Sequence, residues 1–179
     1  MVPDLALPTT DLHPSWFEAH AEWGPGLHED GFGLLPTDEI ESPRGFEAWV
    51  ARLTDEPDHW NTNGTRCIYR WIVEGGKVLG GIALRYGSDE TVMRTGHIGF
   101  GIRPSARQRG VATWALGRML DDARGLGMDR VLLVCAEDNV GSAKTIERHG
   151  GVLESIQDTK LGLARRYWVT IGSRSTTSI

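Results

Sequence analysis

Three arginines lie within seven positions of the segment "RPSARQRGVAT", at Arg103, Arg107 and Arg109, just before Gly110 and the start of a predicted helix. The first turn of a helix carries unpaired backbone N–H groups and a partial positive charge, so a phosphate placed there gains hydrogen bonds and a favourable field. Arginine side chains can add charge-assisted hydrogen bonds to the same group. The pattern therefore predicts either a binding site for a phosphorylated ligand or an ordinary solvated basic helix start.

The segment before these arginines favours the ligand. It reads "GHIGFGIRP", a predicted strand with glycines at Gly96, Gly99 and Gly101. A glycine inside a strand usually marks a bulge or the close approach of another backbone or a ligand. We therefore expect a strand that runs directly into a helix, with the ligand held at the junction.

Other phosphate and hydrolase motifs are missing from the sequence. It contains no G-x-x-x-x-G-K-[ST], no complete G-x-G-x-x-G, no H-E-x-x-H and no G-x-S-x-G. The sequence therefore lacks the signature motifs of P-loop proteins, dinucleotide-binding folds, zinc hydrolases and serine hydrolases. Cys67 and Cys135 lie far apart in the sequence, so we expect two free thiols, with neither a disulfide framework nor a metal site.

Hydrophobic periodicity predicts the elements that position this site. A short first strand precedes two helices, of which the first has a capping-box spacing at Ser15 and Glu18. A hairpin with a Gly-Gly turn, a polar loop over 85–95 and the glycine-rich strand come next. A helix of about 15 residues, a buried strand, a helix from Asn139 to His149 and two final strands complete the chain. The predicted order is β-α-α-β-β-β-α-β-α-β-β, an α/β (α+β) domain over 1–172 with a polar tail at 173–179.

Charge is distributed unevenly along the chain. Residues 1–60 hold 13 acidic side chains against two arginines, whereas residues 61–179 hold 11 acidic against 17 basic side chains. The basic residues form no long run and do not alternate with aromatic residues along one helix, so a compact anionic ligand is favoured over nucleic acid. The acidic first third is compatible with a cationic ligand, although acidic surfaces also serve solubility.

The segment "RQRGVA" resembles the first motif of the GNAT superfamily of N-acetyltransferases, [RQ]-x-x-G-x-[GA], through Arg107, Gly110 and Ala112. A second likeness begins at Asn139, where Asn-x-x-Ser142 resembles the asparagine-started helix of that family. The predicted order of elements is also similar to that of the family. Within the superfamily, the chain resembles bacterial predicted acetyltransferases without a well-defined substrate.

The resemblance implies a single GNAT-like domain with a mixed, mostly antiparallel central sheet whose fourth strand is bulged and splayed. It also implies acetyl-CoA as the donor, with the pyrophosphate on the helix start and the pantetheine beside the strand end. The residues that it implies for cofactor binding are Ile102, Arg103, Arg107, Gln108, Arg109, Gly110, Val111, Ala112, Thr113, Asn139, Ser142 and Lys144. Ile102 and Arg103 are expected to contribute through their backbones.

Catalytic groups are harder to predict. The tyrosine that the superfamily often uses as general acid corresponds to Ile146, so the usual acid is missing. His97 is the best candidate base, because a free imidazole titrates near neutral pH, and the alternative is a histidine hydrogen-bonded beneath the preceding loop. Tyr69, Glu90 and Tyr167 stay open as further candidates, because nothing in the sequence places them at the site.

The resemblance implies direct attack by a primary amine of a small molecule or peptide on the acetyl group in a ternary complex. The alternative is a domain that binds or senses acyl-CoA without catalysis. No segment of the sequence has the roughly 20 uninterrupted apolar residues of a membrane span, and no export signal is visible. We expect a cytoplasmic protein that contacts neither membrane nor nucleic acid, and a homodimer is compatible with the sequence.

Overall fold

The computed structural model describes residues 2–24, 31–55, 66–87, 90–160 and 162–172. Its strands are β1 (Asp4–Ala6), β2 (Arg66–Glu74), β3 (Lys77–Tyr86), β4 (Ile98–Ile102), β5 (Arg130–Ala136), β6 (Val152–Thr159) and β7 (Gly162–Thr170). Its α-helices are α1 (His13–Trp23), α2 (Pro43–Thr54), α3 (Glu90–Thr95), α4 (Val111–Gly125) and α5 (Val140–Arg148). The predicted tail at 173–179 lies outside the described residues.

The first half of the chain forms a four-stranded antiparallel sheet in the order β1-β2-β3-β4. The hairpin between β2 and β3 turns at Gly75 and Gly76, whose φ values of 57° and 77° explain the predicted Gly-Gly turn. Farther along the hairpin, a Cβ on Gly80 would collide with the carbonyl oxygen of Gly101 in β4. Glycine here permits the close approach of two strand backbones.

The second half forms a three-stranded antiparallel sheet in the order β5-β7-β6. Within the described chain, β4 and β5 form no ladder, and the two sheets are joined by an isolated bridge between Gly96 and Leu133. The fourth strand is therefore splayed, as expected. The predicted bulge is absent from the described β3–β4 ladder, whose register is continuous, because its glycines are used for close strand packing instead.

Two apolar clusters hold these layers together. One lies beneath α4 and α5 and includes Leu116, Met119 and Ile146. The other is aromatic and packs α1 and α2 on the first sheet through Trp16, Trp49 and neighbouring rings. Burying an apolar side chain of this size contributes about 1.5–3 kcal/mol, so each cluster fixes the helices that it contacts.

Two local predictions are wrong. The segment predicted as a polar loop contains α3, a six-residue helix with one fully buried apolar residue, Val92, which leaves too little pattern to detect. The predicted capping box also fails, because α1 begins before Ser15. The Ser15 hydroxyl instead accepts a hydrogen bond from the Val78 N–H of β3 at 2.8 Å, and so fastens the helix to the sheet.

Candidate active site between the two sheets

A cleft of about 1790 Å³ opens where β4 and β5 diverge. β4 and β5 form its two sides, and the N-terminal ends of α4 and α5 contribute to its lining. The predicted cofactor-binding residues that line it are Ile102, Arg107, Gln108, Gly110, Val111, Ala112, Thr113, Asn139, Ser142 and Lys144. The structure therefore brings together two sequence motifs that are separated by a complete helix and strand.

The start of α4 has the backbone geometry that an anion site requires. Gly110 is the N-cap with φ 77°, and within the described residues no side chain caps the helix there. The first helical hydrogen bond runs from the Trp114 N–H to the Gly110 carbonyl, which leaves the amides of the preceding turn available. A Cβ on Gly110 would touch no described atom, so the left-handed backbone, rather than space within the protein, requires glycine.

Only one of the three arginines lies in the cleft. Arg107 lines it, and its Nε donates to the Ile102 carbonyl at 2.9 Å, which directs the exposed side chain across the strand end. Arg109 instead pairs with Glu74 at 2.7 Å, outside the cleft lining. The prediction that Arg109 contributes a charge to the phosphate is therefore not supported by its position.

Arg103 is a buried structural arginine. Its side chain forms an ion pair with Glu22 of α1 and donates to the Val78 carbonyl at 3.1 Å. The same Glu22 carboxylate accepts from the Ser105 N–H at 3.0 Å and from its hydroxyl at 2.9 Å. Hydrogen bonds from Arg103 lower the pKa of Glu22 to about 2. This network fixes the loop before α4 to the first helix.

The backbones of Ile102 and Arg103 face opposite ways. The Arg103 N–H donates to the Leu79 carbonyl of β3 at 2.8 Å, so it is used within the sheet. Because backbone groups alternate along an antiparallel strand, those of Phe100 and Ile102 are directed away from β3, toward the cleft. The prediction for Ile102 agrees with this geometry. The predicted backbone contact of Arg103 is not supported, because its N–H is used within the sheet, whereas the backbone groups of Phe100 face the cleft.

The start of α5 forms the opposite wall. Asn139 caps this helix, since its Oδ1 accepts from the Ser142 N–H at 3.1 Å. Asn139 also lines the cleft, and its side-chain amide nitrogen is a donor of the kind suited to a carbonyl. Lys144 is exposed on the same helix and adds a positive charge.

His97 lies at the vertex of the two sheets and is not among the lining residues. It is 8% exposed, and its Nδ1 accepts a hydrogen bond from the Leu132 N–H at 2.8 Å. Burial lowers the pKa of His97 below its ordinary 6.5. The geometry therefore argues against His97 as the catalytic base, because the nitrogen that would accept a proton already holds a backbone hydrogen bond.

Comparison with known proteins identifies the fold. A family model described as an acetyltransferase (GNAT) domain matches residues 10–152. The chain belongs to the GNAT acetyltransferase family. No curated protein matches the chain in sequence.

Solved structures share this GNAT fold at low sequence identity. A probable acetyltransferase superposes with a TM-score of 0.71 at 19% identity, covering 94% of this chain and 92% of that one. The microcin C7 self-immunity acetyltransferase, solved with acetyl-CoA and AMP, gives 0.67 at 15% identity, with 94% and 92% covered. An acetyltransferase from Salmonella typhimurium that modifies the N-terminal serine of a 50S ribosomal subunit protein gives 0.67 at 14%, with 95% of each chain covered.

The usual GNAT general acid has no counterpart in the described part of the cleft. Ile146 occupies the position of the family tyrosine, and the lining residues include neither tyrosine nor histidine. Tyr167 is buried elsewhere, where its hydroxyl donates to Glu147 at 2.9 Å, and burial raises its pKa. Burial likewise raises the pKa of Tyr69, which lies outside the lining.

Sequence reasoning placed no residue on the far side of the cleft, although it named Glu90 as an open candidate. Glu90 and Arg94 of α3 line this side, together with Arg166 of β7. Arg166 is 8% exposed and donates to Glu154 at 3.0 Å and to the Met93 carbonyl at 2.7 Å. The second bond attaches α3 to β7. In sequence, the pair Arg165-Arg166 is indistinguishable from an exposed strand face.

Among the described residues, no cluster of three or more His, Cys, Asp or Glu side chains could hold a metal ion. Cys67 and Cys135 are free and partly buried, and burial raises the pKa of each thiol. No helix in the described ranges is both long and apolar enough to cross a membrane.

Proposed function

We propose that this chain transfers the acetyl group of acetyl-CoA to a primary amine of a small molecule or peptide, by direct attack in a ternary complex. The observation that carries the proposal is the cleft in which the start of α4 and the cap of α5 face the open edge of β4. GNAT family membership supports acetyl transfer, while the amine acceptor is our inference. Acetyl-CoA supplies an activated acetyl thioester.

The protein's own groups divide the work of binding. The uncapped amides of Val111, Ala112 and Thr113 and the guanidinium of Arg107 match a diphosphate in charge and donor number. The outward backbone groups of Phe100 and Ile102 suit an extended chain that contains amides, since these can pair with a free strand edge. Asn139 adds a donor from the opposite wall.

Catalysis in this proposal relies on orientation rather than on a tyrosine acid. Holding two reactants in attack geometry contributes about 7–11 kcal/mol to lowering a barrier in well-oriented systems. Donors aimed at the developing oxyanion add to this contribution. The cleft lining includes residues of α4 and α5, where the donor would bind, and of α3 and β7, beside which the amine would bind.

A second candidate function follows from a specific observation. Ten of the twelve predicted cofactor-binding residues line the cleft, yet the described lining lacks both tyrosine and histidine. A domain that binds acyl-CoA without turning it over fits the same geometry. Both functions require CoA binding, so binding alone does not separate them.

The test combines binding with turnover. Calorimetric titration with acetyl-CoA should give saturable binding, which falls when Arg107 is replaced by alanine and not when Arg118, an exposed arginine of α4 outside the cleft, is replaced. Mass spectrometry of acetylated products across a panel of amines and N-terminal peptides then decides between the two functions. Acetyl-CoA binding without any acetylated product favours the domain that binds acyl-CoA without catalysis. If the parent protein does not bind acetyl-CoA at all, both functions are contradicted.

A further inference from the structure

His97 joins the two sheets at the closed end of the cleft. Its backbone N–H donates to the Leu132 carbonyl of β5 at 2.7 Å, and its carbonyl accepts from the Arg85 N–H of β3 at 2.6 Å. The adjacent Gly96 forms the isolated bridge to Leu133, in a left-handed conformation with φ 89°. One short segment before β4 therefore connects the first sheet to the second.

The His97 side chain completes this junction. Its Nδ1 accepts the Leu132 N–H at 2.8 Å, so one residue satisfies both backbone groups of Leu132, the carbonyl through its own N–H and the N–H through its ring. The ring thus takes the place of a backbone carbonyl beside the isolated Gly96–Leu133 bridge, where β4 and β5 begin to diverge. Both residues are buried, so without the imidazole the Leu132 N–H would lose its acceptor away from water.

We propose that His97 is a positioning residue, which sets the separation of β4 and β5 through its paired hydrogen bonds with Leu132 and so holds the cleft edges at the spacing that the ligand requires. The inference rests on the proposed function for the identity of that ligand. β4 contributes the outward groups of Phe100 and Ile102, while β5 continues from Leu133 along the other side. The imidazole acts on the ligand through these strands and not by proton transfer.

The junction requires a neutral imidazole, because a protonated Nδ1 cannot accept the Leu132 N–H. The charged groups that act on the ring are Arg85 of β3 and Arg130 of β5, and the positive charge of each disfavours protonation of the imidazole. The Trp168 ring of β7 lies 6.1 Å away, centroid to centroid, and is uncharged. Burial is the largest cause of the lowered pKa of His97.

A conservative replacement separates positioning from catalysis. In His97→Asn, the Oδ1 atom is attached to the same side-chain carbon position as Nδ1 and can accept the Leu132 N–H, but it cannot act as a base. His97→Leu keeps an apolar bulk without an acceptor. We expect the asparagine variant to bind acetyl-CoA within about threefold of the parent and the leucine variant to bind about tenfold or more weakly.

A matched control removes general destabilisation as the cause. Val169→Ala in β7 truncates a buried residue of the main core that pairs with Val131 and faces the opposite side of the sheet from Leu132, so it should lower thermal stability while keeping acetyl-CoA affinity near that of the parent. Equal weakening in Val169→Ala and His97→Leu would overturn the proposal. So would parent-like acetyl-CoA affinity in His97→Leu.

Two readouts keep this inference distinct from the proposed function. Amide hydrogen exchange at Leu132 in the ligand-free protein should accelerate in His97→Leu and stay protected in His97→Asn, whatever the protein binds. If the parent fails to bind acetyl-CoA, the proposed function is contradicted. The exchange rate of Leu132 would still show whether the His97 ring protects its N–H. If the Leu132 amide exchanges at the same rate in all three proteins, the proposal that the His97 ring protects it is wrong.

Turnover supplies a separate test. A His97→Asn variant with parent-like acetyl-CoA affinity and abolished turnover would show that His97 acts as a base, and would contradict a role in positioning alone.

Discussion

The two ends of the cleft differ in how they are built. The end at α4 and α5 consists mainly of helix-start backbone, with Gly110 and Asn139 fixing the two helix starts. The end at α3 and β7 consists of side chains from distant segments, attached to one another through Arg166. A site built from backbone groups suits a ligand group that is always the same, whereas a site built from side chains can differ between proteins that bind different ligands. We infer that the first end binds the common donor and that the second end selects the acceptor.

The largest effect on this comparison is expected from Arg107→Ala. Losing a charge-assisted hydrogen bond to a diphosphate should weaken acetyl-CoA binding about 10- to 100-fold. Removing the Nε bond also frees the Ile102 carbonyl. Calorimetry on the purified variant measures the change, with Arg118→Ala as the matched control. Unchanged affinity in Arg107→Ala would mean that the basic segment does not bind the phosphates.

A second prediction concerns the network that fixes the loop before α4. Glu22→Gln leaves the buried Arg103 with a neutral partner, which should lower the free energy of unfolding by about 1–3 kcal/mol at neutral pH. Urea denaturation at a series of pH values measures this difference.

The pH dependence has a definite sign. Because the pKa of Glu22 is lowered from 4.5 to about 2 in the folded protein, its contribution is complete above about pH 4.5 and is lost as the pH falls toward 2. The stability gap between the parent and Glu22→Gln should therefore narrow over that window. A gap that stays constant from pH 6 to the acid limit would show that the carboxylate does not stabilise the loop.

A third prediction separates the two ends of the cleft. Glu90 and Arg94 have opposite charges and lie on the same short helix, so neutralising each should shift the KM of a cationic acceptor in opposite directions. Glu90→Gln should raise that KM about two- to fivefold, and Arg94→Gln should lower it by a similar factor. Acetyl-CoA affinity should stay unchanged in both. If the acetyl-CoA affinity of these variants changes as much as the KM for the acceptor, the two ends of the cleft do not bind donor and acceptor separately.

The smallest effect is expected from Arg109→Ala. This arginine is exposed and paired with Glu74 outside the cleft, so acetyl-CoA affinity should stay within about threefold of the parent. The variant differs from Arg107→Ala by only two positions in sequence, which makes the pair a sharp comparison. An equal loss of acetyl-CoA affinity in Arg107→Ala and Arg109→Ala would indicate that both side chains contact the same ligand in solution.

The same contrast explains which parts of the structure the sequence could predict. Helix starts depend on residues adjacent in the chain, so Gly110 and Asn139 were identified correctly from short motifs. The helix of about 15 residues predicted after Gly110 agrees with α4, because periodicity is a local property. Ten of the twelve predicted cofactor-binding residues line the cleft, whereas Arg103 and Arg109 do not.

The remaining features depend on contacts between distant segments. Nothing near Arg103 in sequence indicates Glu22, which lies on another helix, and nothing near His97 indicates Leu132. Arg166 is buried and donates to the Met93 carbonyl of α3, and α3 itself was too short to predict. A histidine near neutral pKa looks catalytic in sequence, and only the three-dimensional contact identifies it as a structural acceptor.

The central claim is that the first turn of α4 binds the pyrophosphate of acetyl-CoA. Amide-resolved NMR during titration with CoA tests it most directly, because each N–H of that turn reports separately. We predict large, saturable shifts at Gly110, Val111, Ala112 and Thr113, and small shifts along the far end of the same helix near Ala123. Saturable binding that leaves these four amides unchanged, or no binding at all, would contradict the account.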